Sequence, residues 1–263
     1  MKTARLSLWL IAMLLAAWYL APAQAPNVPT APPPVAPAWS QPGSPTHVQV
    51  PPPPDFHRPS KNFDTPIGVF QGQSDIGSAL IPGSAEYDPS TKQYTIHSAG
   101  YNVWYTRDEF RYLWSKTSGN ISLAADVSFP DPKGFSDRMI LLIIRQNLDD
   151  DSKEAFVAVH GSGMAQLAQR PDKAASVMAT DYRITYRGRA VAPKRIGIEK
   201  HGDTFTLFVS LEGEPMHQFG PPITLHLDGS FYAGIGFCSH LPVTSDTGVL
   251  SNVVFKHSAG KIH

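Results

Sequence analysis

The chain of 263 residues has little cysteine and no excess of either charge. Its one cysteine, Cys238, excludes an internal disulfide, so a folded domain must be held together by its buried core alone. Because Cys238 lies in the apolar segment 231–239, we predict a buried structural thiol rather than a nucleophile. The 22 basic and 22 acidic residues balance to a formal net charge of zero. This balance argues against nucleic acid or an anionic membrane as the partner, since both attract a concentrated basic face.

The first 25 residues have the organisation of a secretion signal. Lys2 and Arg5 provide a basic start, residues 6–20 are apolar apart from Ser7, and small residues suited to cleavage follow. The apolar run is shorter than the about twenty residues that a membrane span needs, although an uncleaved anchor is the alternative. We therefore predict a signal peptide over residues 1–25 and a secreted or periplasmic location in a bacterium.

Residues 26–66 are rich in proline. They contain two runs, 32–34 and 51–54, among alanine, glutamine, serine and few charges. Such a composition buries too little apolar area to offset the entropy of ordering, and it favours an extended polyproline backbone. We predict a disordered linker over residues 26–66, followed by one globular domain over residues 67–260.

The strongest pattern in that domain is an alternation of large side chains. Phe110, Tyr112 and Trp114 fall on one side of an extended strand, and Leu113 falls on the other. After a turn at residues 118–120 the alternation resumes with Ile121, Leu123, Ala125, Val127 and Phe129. A period of two over this length predicts a half-buried antiparallel hairpin with Trp114 in the core.

Other segments also predict strands. Turns at residues 161–163 and 201–203 contain glycine, and each separates two strand-like segments. The apolar run 139–144 predicts a central strand that is covered on both faces, and only residues 171–180 suggest a short helix. Ten or more short strands without sustained helical periodicity predict an all-β fold, a two-sheet antiparallel jelly-roll sandwich.

An ordered series of motifs extends over residues 69–256. The series comprises Tyr94-x-Ile96-x-Ser98-x-Gly100 with Trp104, Asp108-Glu109-Phe110-x-Tyr112-x-Trp114, Ser118-Gly119-Asn120, Ile144-Arg145-Gln146-Asn147-Leu148-Asp149 with Ser152, His160-Gly161-Ser162-Gly163, Gln169-Arg170 and Phe231-Tyr232-Ala233-Gly234-Ile235-Gly236. It resembles a concanavalin-A-like β-sandwich family of bacterial secreted proteins that is described as a domain of unknown function. One departure is Asn120, where members of that family often have aspartate.

The resemblance implies a concanavalin-A-like sandwich in a carbohydrate-rich extracellular setting. Members of the family occur fused to Tol-type propellers and to glycan-acting enzymes, and the family brings no agreed catalytic residues.

The last apolar segment predicts a binding face. Phe231, Ala233, Ile235 and Phe237 are expected to point inward, and Tyr232, Gly234, Gly236, Cys238 and His240 the other way. The two glycines between an aromatic ring and a histidine predict a shallow trough, since glycine inside a strand often marks the close approach of a ligand. Close packing of a loop onto the glycines is the alternative.

Further groups are predicted to join this face. By the same alternation, Arg145, His160 and Arg170 would supply polar groups, and arginine suits sugar hydroxyls or carboxylates. The alternative for the arginines is a structural ion pair with Asp126, Asp149 or Glu154. Trp104 and Tyr105 lie in a non-periodic crossing, where an exposed ring would stack on a sugar and a buried ring would plug the sandwich.

The sequence lacks the Glu-x-Asp-x-x-Glu strand that is typical of glycosidases on this fold. The pattern begins at Glu86, but Thr91 stands where the last acid belongs. Hydrolysis needs paired carboxylates about 5 to 10 Å apart, and the remaining possibility is convergence in space of Asp108, Glu109, Asp126 and Glu154. The three acids at 149–151 lack the alternating spacing of a calcium loop, so we predict no metal and no cofactor.

These observations together predict an exported, non-catalytic module that binds carbohydrate on one sheet face. A glycan is the expected partner, and the predicted ligand-binding residues are Trp104, Tyr105, Arg145, His160, Arg170, Tyr232 and His240. One alternative is a glycan-acting hydrolase with an unrecognised acid pair in a deep cleft. The other is a structural or protein-interaction domain of the envelope, with a filled face or an exposed apolar patch.

Overall fold

The computed structural model describes residues 58–262. The predicted signal peptide lies outside the described residues, as does the predicted linker up to residue 57. The described residues form twenty β-strands and no helix, and every strand pairing among them is antiparallel. Within residues 58–262, accordingly, no helix is long and apolar enough to cross a membrane.

Eight strands form the first sheet. In order across the sheet they are β1 (Lys61–Phe63), β2 (Gly72–Ile76), β7 (Phe110–Ser118), β19 (Ser230–Cys238), β9 (Met139–Arg145), β10 (Glu154–His160), β11 (Ala165–Arg170) and β12 (Met178–Tyr182). Strand β9 is central, and all of its residues are buried, as the apolar run predicted.

Eight further strands form the second sheet. In order they are β17 (His217–Gln218), β16 (Thr204–Ser210), β15 (Arg195–His201), β8 (Ile121–Ser128), β20 (Asp246–Lys256), β4 (Gln93–Ser98) and β3 (Ser84–Asp88), with β18 (Ile223–Thr224) also pairing with β16. Two small ribbons pair β5 (Val103–Trp104) with β6 (Arg107–Asp108), and β13 (Thr185–Tyr186) with β14 (Arg189–Ala190).

An apolar core lies between the two sheets. Strand β19 contributes Phe231, Ala233, Ile235 and Phe237, and strand β16 of the second sheet contributes Phe205, Leu207 and Val209. Alternate residues of both sheets therefore meet in one interior, which is how a two-sheet sandwich buries its apolar faces. The predicted fold class, an all-β antiparallel sandwich of two sheets, is confirmed, and so is the predicted inward set of β19.

A second apolar cluster covers the outer face of the first sheet, which we define as the face turned away from the second sheet. It comprises Ile76, Val103, Phe110, Tyr112, Trp114, Met139, Leu141, Ile143, Phe156, Ala158, Ala168, Val177 and Cys238. Two of these residues, Val103 and Val177, come from segments that cross over the sheet rather than from its strands. The outer face is therefore largely filled by the chain itself.

Strands β7 and β8 do not pair with each other, so the predicted hairpin is wrong. Strand β7 lies between β2 and β19 in the first sheet, whereas β8 lies between β15 and β20 in the second. The turn at residues 118–120 thus carries the chain from one sheet to the other. The alternation separated the two faces of β7, but the strand is not half-buried, because both faces are covered. Leu113 lies with Ile121 in the core between the sheets, whereas Phe110, Tyr112 and Trp114 lie in the outer cluster, so the expectation that Trp114 belongs to the core between the sheets is wrong. Period-two patterning specifies which side chains share a face and not which strand is the neighbour.

Other local predictions have mixed outcomes. The glycine turns at 161–163 and 201–203 join the paired strands β10 and β11 and the paired strands β15 and β16, as predicted. Residues 171–180 contain no helix and instead lead into β12. The sheet also begins earlier than the predicted boundary at residue 67. The short proline-free segment 60–65 supplies β1, which pairs with β2 and in which the Asn62 side chain accepts a hydrogen bond from Ser74 Oγ at 2.7 Å.

Candidate functional site

Three neighbouring strands, β9, β10 and β11, differ between the two ends of their outer face. One end carries Arg145, Glu154 and Arg170, and the other end carries Met139, His160 and Gln166. At about 3.3 Å per strand residue, the two ends lie about 20 Å apart. Apolar residues of the outer cluster, such as Phe156, separate them.

The first end holds a buried charge cluster of Arg145, Arg170, Asp108 and Glu154. All four side chains are 0% exposed. Arg145 Nη1 lies 2.8 Å from Asp108 Oδ2 and also contacts Glu154 Oε2, while Arg170 lies 2.5 Å from Asp108 Oδ1 and 3.0 Å from Glu154 Oε1. Each guanidinium thus bridges the same two carboxylates, and the formal charges of the four groups cancel.

The charge cluster also fastens loops to the sheet. Arg145 Nη2 donates to the carbonyl of Asp149 at 2.5 Å, and Arg170 donates to the carbonyls of Ser152 at 2.9 Å and Ala175 at 3.1 Å. Burial raises the pKa of Glu154 to about 7, because desolvation and repulsion from Asp108 outweigh the attraction of the two arginines. The charge cluster therefore has a structural role. It corresponds to the alternative in which Arg145 and Arg170 form structural ion pairs, here with Glu154 and with Asp108.

The other end of the outer face opens into a cleft of about 160 Å³. The cleft is lined by Asn102, Trp104, Phe135, Asp137, Met139, His160, Met164, Gln166, Asp181 and His240. These residues come from strands of the first sheet, from β5 and the residue before it, from the loop before β9, from the turn between β10 and β11, and from the second residue after β19. The cleft therefore has a sheet floor and loop walls.

His160 forms part of the floor, at the end of β10. Its Nδ1 lies 3.1 Å from the backbone carbonyl of Asp137, and because a carbonyl only accepts, Nδ1 carries the proton. Burial lowers the pKa of His160, and the opposing effects of Asp137, Asp181 and Gln166 do not reverse the shift. The neutral ring therefore has an unprotonated Nε2, and this buried atom has no hydrogen-bond partner among the described residues.

Gln166 lies beside His160 on the floor and faces Asp181 across the β11–β12 pair. Its Nε2 donates to Asp181 Oδ1 at 2.7 Å, so the amide group is oriented. With the nitrogen used in this way, Oε1 is an acceptor, and it too is buried without a partner among the described residues. The side chains of His160 and Gln166 lie close enough for Gln166 to raise the pKa of His160, but two acceptor atoms cannot satisfy each other. Buried polar groups are normally paired, so both acceptors still require a donor.

The walls combine aromatic rings with polar groups. Trp104 is half-buried, and its ring lies 6.4 Å from that of Tyr105 at 75°. His240 stacks near Phe135 with ring centroids 5.5 Å apart, and its φ of 61° turns the chain sharply after β19. Asn102 is fixed by backbone contacts, since its carbonyl accepts from Glu109 N at 2.8 Å. The walls therefore offer an indole surface beside polar edges.

The structure brings together three of the seven predicted site residues, namely Trp104, His160 and His240. Arg145 and Arg170 lie in the charge cluster at the far end, and neither guanidinium is exposed. Tyr105 supplies its backbone carbonyl to that end, accepting from Arg170 Nε at 3.4 Å. The expectation that both arginines share a face with His160 is right, but ion pairing removes them from the cleft.

The predicted trough along β19 is wrong. Tyr232 pairs in register with Arg145 and packs its ring edge-on to Trp114 at 5.1 Å, so it lies at the opposite end from His240. A Cβ added at Gly236 would lie 2.8 Å from the Phe110 ring, and one at Gly234 would lie 1.8 Å from the Leu113 carbonyl oxygen. The glycines admit close packing within the protein, as the alternative expected, but the group packed on them is the neighbouring strand β7 and not a loop.

The predictions about other groups have separate outcomes. Cys238 is buried, and burial raises the pKa of its thiol, as expected of a structural cysteine. Of the acids at 149–151, Asp151 pairs with Arg107 at 2.5 Å and with Lys173 at 3.0 Å. Within residues 58–262 no group of three potential metal-ligating side chains is close enough to hold an ion.

Several residues that line the cleft were missed from the sequence. Gln166 had a usable signal, because it shares the face of Arg170 by the same alternation. Asp181 follows from the pairing of β12 with β11, which no local pattern shows. Asn102, Phe135 and Asp137 lie in irregular segments whose position depends on the whole fold.

Comparison with known proteins identifies no family for the chain. No family model matches the chain, and no curated protein sequence matches it. A functionally unknown protein from Saccharomyces cerevisiae is 14% identical over 68% of this chain and 97% of that chain, with a TM-score of 0.46. Carbohydrate-binding module CBM66 from Bacillus subtilis is 15% identical over 66% of this chain and 92% of that chain, with a TM-score of 0.43. A xylan β-1,4-xylosidase from Bacillus halodurans is 16% identical over 79% of this chain but 41% of its own, with a TM-score of 0.48.

All three TM-scores are below 0.5. At such identities and TM-scores the similarity assigns no function.

Proposed function

We propose that this domain is a non-catalytic module that binds carbohydrate in the cleft. The observation that supports the proposal is the combination of the Trp104 indole with amide, carboxylate and imidazole groups around one depression. A sugar ring has apolar faces and a rim of hydroxyls, so it matches an aromatic wall beside several hydrogen-bonding groups. The open sheet face of the original hypothesis is replaced by this cleft.

The size of the cleft limits what it holds. Its 160 Å³ is smaller than the roughly 300–1,000 Å³ of pockets for drug-sized ligands. The cleft therefore accommodates about one sugar ring, with the rest of a longer glycan outside it. Binding of this kind is expected to be selective for a terminal or side-chain sugar.

The hydrolase alternative finds less support. Burial raises the pKa of Glu154 and of Glu109, as a catalytic acid would require. Both carboxyls, however, lie inside the protein, where Glu109 pairs with Arg58 at 3.0 Å and Glu154 belongs to the charge cluster. A general acid must reach the bond that it protonates, and neither carboxyl lines the cleft.

A glycan array tests the proposal, with the full-length chain and two variants as probes. Trp104→Ala removes the aromatic wall and is expected to weaken binding by about 5- to 150-fold, which corresponds to the ~1–3 kcal/mol that base–aromatic stacking contributes in other sites. Tyr232→Ala is the matched control, because it removes a half-buried ring outside the cleft and is expected to leave binding unchanged. Retention of no glycan by the unaltered chain would remove the proposed function.

We further propose that the chain is an exported, divergent member of the family whose motifs it resembles. The motif residues Tyr94, Tyr112 and Trp114 are all buried, which is consistent with motifs that specify a core. Export is supported by the organisation of residues 1–25, which have a basic start followed by an apolar run and small residues. Amino-terminal sequencing of the protein from a periplasmic or culture fraction tests it, and a start at Met1 in the cytoplasm would contradict it.

A further inference from the structure

The formally charged side chains that line the cleft are acidic. Asp137 and Asp181 are exposed carboxylates, and no lysine or arginine is among the described residues that line the cleft. His160 does not balance them, since burial lowers its pKa. A ligand in the cleft therefore meets two acidic groups without a lysine or arginine beside them.

The floor of the cleft adds to the negative electrostatic potential that the two carboxylates create. His160 is 6% exposed and Gln166 is 3% exposed, and each has a buried acceptor atom, Nε2 and Oε1, without a hydrogen-bond partner among the described residues. An unpaired acceptor directs the negative end of its dipole at its surroundings, and in a site of low dielectric this potential is only weakly screened. The acceptor atoms of the floor and the carboxylates of the wall thus both favour a positively charged ligand.

Nearby cations do not cancel the effect. Arg138 lies between the lining residues Asp137 and Met139 in the chain, and its Nη1 pairs with Asp246 Oδ2 at 2.7 Å. Its guanidinium also lies 4.8 Å from the centroid of the Phe129 ring and is not among the groups that line the cleft. The Trp104 indole adds a π-face, which attracts a cation rather than an anion.

We infer that the cleft takes the ammonium group of an amino sugar, with Asp137 and Asp181 as the charge partners. The inference rests on the proposed carbohydrate binding and narrows the ligand class. An ammonium supplies three N–H donors and a positive charge, which is what two carboxylates and two unsatisfied acceptors lack. An N-acetylated sugar has neither the charge nor the three donors, and a uronic acid is repelled.

Calorimetric titration of the full-length chain tests the inference with three β-1,4-linked tetrasaccharides, built from glucosamine, from N-acetylglucosamine and from glucose. The measurement is made at low salt and at a pH where titration of the ligand shows its amine to be protonated. The glucosamine ligand is expected to bind at least about tenfold more tightly than the other two, because attraction between charges in contact at a protein surface is substantial. The preference is expected to shrink as salt is added.

Two variants locate the effect. Asp181→Asn keeps an oxygen that can accept from Gln166 but removes the charge, and Asp137→Asn removes the other carboxylate. Each is expected to reduce the preference for glucosamine severalfold without abolishing binding of glucose. Asp172→Asn is the control, because it removes an exposed acid that does not line the cleft and is expected to leave the preference intact.

The outcomes separate this inference from the function on which it rests. Equal binding of the glucose and glucosamine ligands, or an unchanged preference in both variants, would overturn the inference and leave carbohydrate binding standing. If none of the three ligands binds while another glycan is retained on the array, the inference also fails alone. If no glycan is retained in either experiment, both fail.

Discussion

The two ends of the outer face of the first sheet both carry charged and polar side chains, but the charges are paired and buried at one end and exposed at the other. At one end Arg145 and Arg170 meet Asp108 and Glu154, and every charge is matched and hidden. At the other end Asp137 and Asp181 are exposed, and two buried acceptors, His160 Nε2 and Gln166 Oε1, lack a donor within residues 58–262. Polar groups whose hydrogen bonds are all satisfied within the protein stabilise the fold, whereas unsatisfied polar groups can bind a ligand. The contrast is the reason to assign structure to one end and binding to the other.

Removing one partner of the charge cluster is expected to have the largest effect. Arg170→Met leaves Asp108 and Glu154 with one guanidinium in a fully buried site. The free energy of unfolding should fall by about 3–5 kcal/mol, because an uncompensated buried charge is costly. Denaturant unfolding measures the loss.

The control for this change is Arg195→Met. Arg195 pairs with Asp126 at 2.7 Å, but the Asp126 side chain is 37% exposed. Such a pair contributes about 0–1 kcal/mol, so the control should change stability little. Comparable losses from the two substitutions would show that the charge cluster is not the structural element proposed here.

The glycines of β19 offer a second test, with a smaller effect. Gly234→Ala places a Cβ 1.8 Å from a backbone oxygen that is held in the sheet, whereas Gly236→Ala meets the Phe110 ring at 2.8 Å. We expect both to reduce stability by about 1–3 kcal/mol, with Gly234→Ala the more harmful because a ring moves more easily than a strand. Thermal or denaturant unfolding ranks them. A neutral Gly234→Ala would mean that the strands are not packed as described.

The smallest expected effect concerns the cleft itself and its dependence on pH. Because the pKa of His160 is lowered in the folded state, its contribution to stability is complete above about pH 6.5 and is lost as pH falls through that value. Glu154 acts in the other direction, since its raised pKa favours the folded state at low pH and loses that contribution between about 4.5 and 7.

His160→Gln isolates the first effect. Glu154 is common to both proteins, so its contribution cancels when the two stability profiles are subtracted. The difference between wild type and variant should narrow as pH is lowered below about 6.5. A difference that is constant from pH 5 to pH 8 would show that His160 is not held in its neutral form.

Much of the sandwich was predictable from side-chain alternation. The inward set of β19 and the central position of β9 follow from which residues are apolar and how they repeat. Turn residues identified two hairpins, because glycine at the turn is a local requirement. The β7–β8 pairing was mispredicted, since a change of sheet at residues 118–120 leaves the alternation on both sides unchanged.

The cleft was only partly predictable. His160 and His240 were selected because they continue the outward positions of their strands, and Trp104 because it interrupts the periodic pattern. The sequence could not show that the β5–β6 ribbon covers the outer face, because that packing joins residues far apart in the chain. For the same reason it could not show that Asp108 neutralises Arg145 and Arg170.

The most direct test of the division between the two ends is an NMR titration of the full-length chain with the glycan that the array retains. Binding in the cleft predicts shifts of the Trp104 indole and of the His160 and Gln166 signals, with Arg145 and Arg170 unmoved. Shifts confined to the far side of the molecule, for example around Lys194 and Met216 beside the second sheet, would contradict the account.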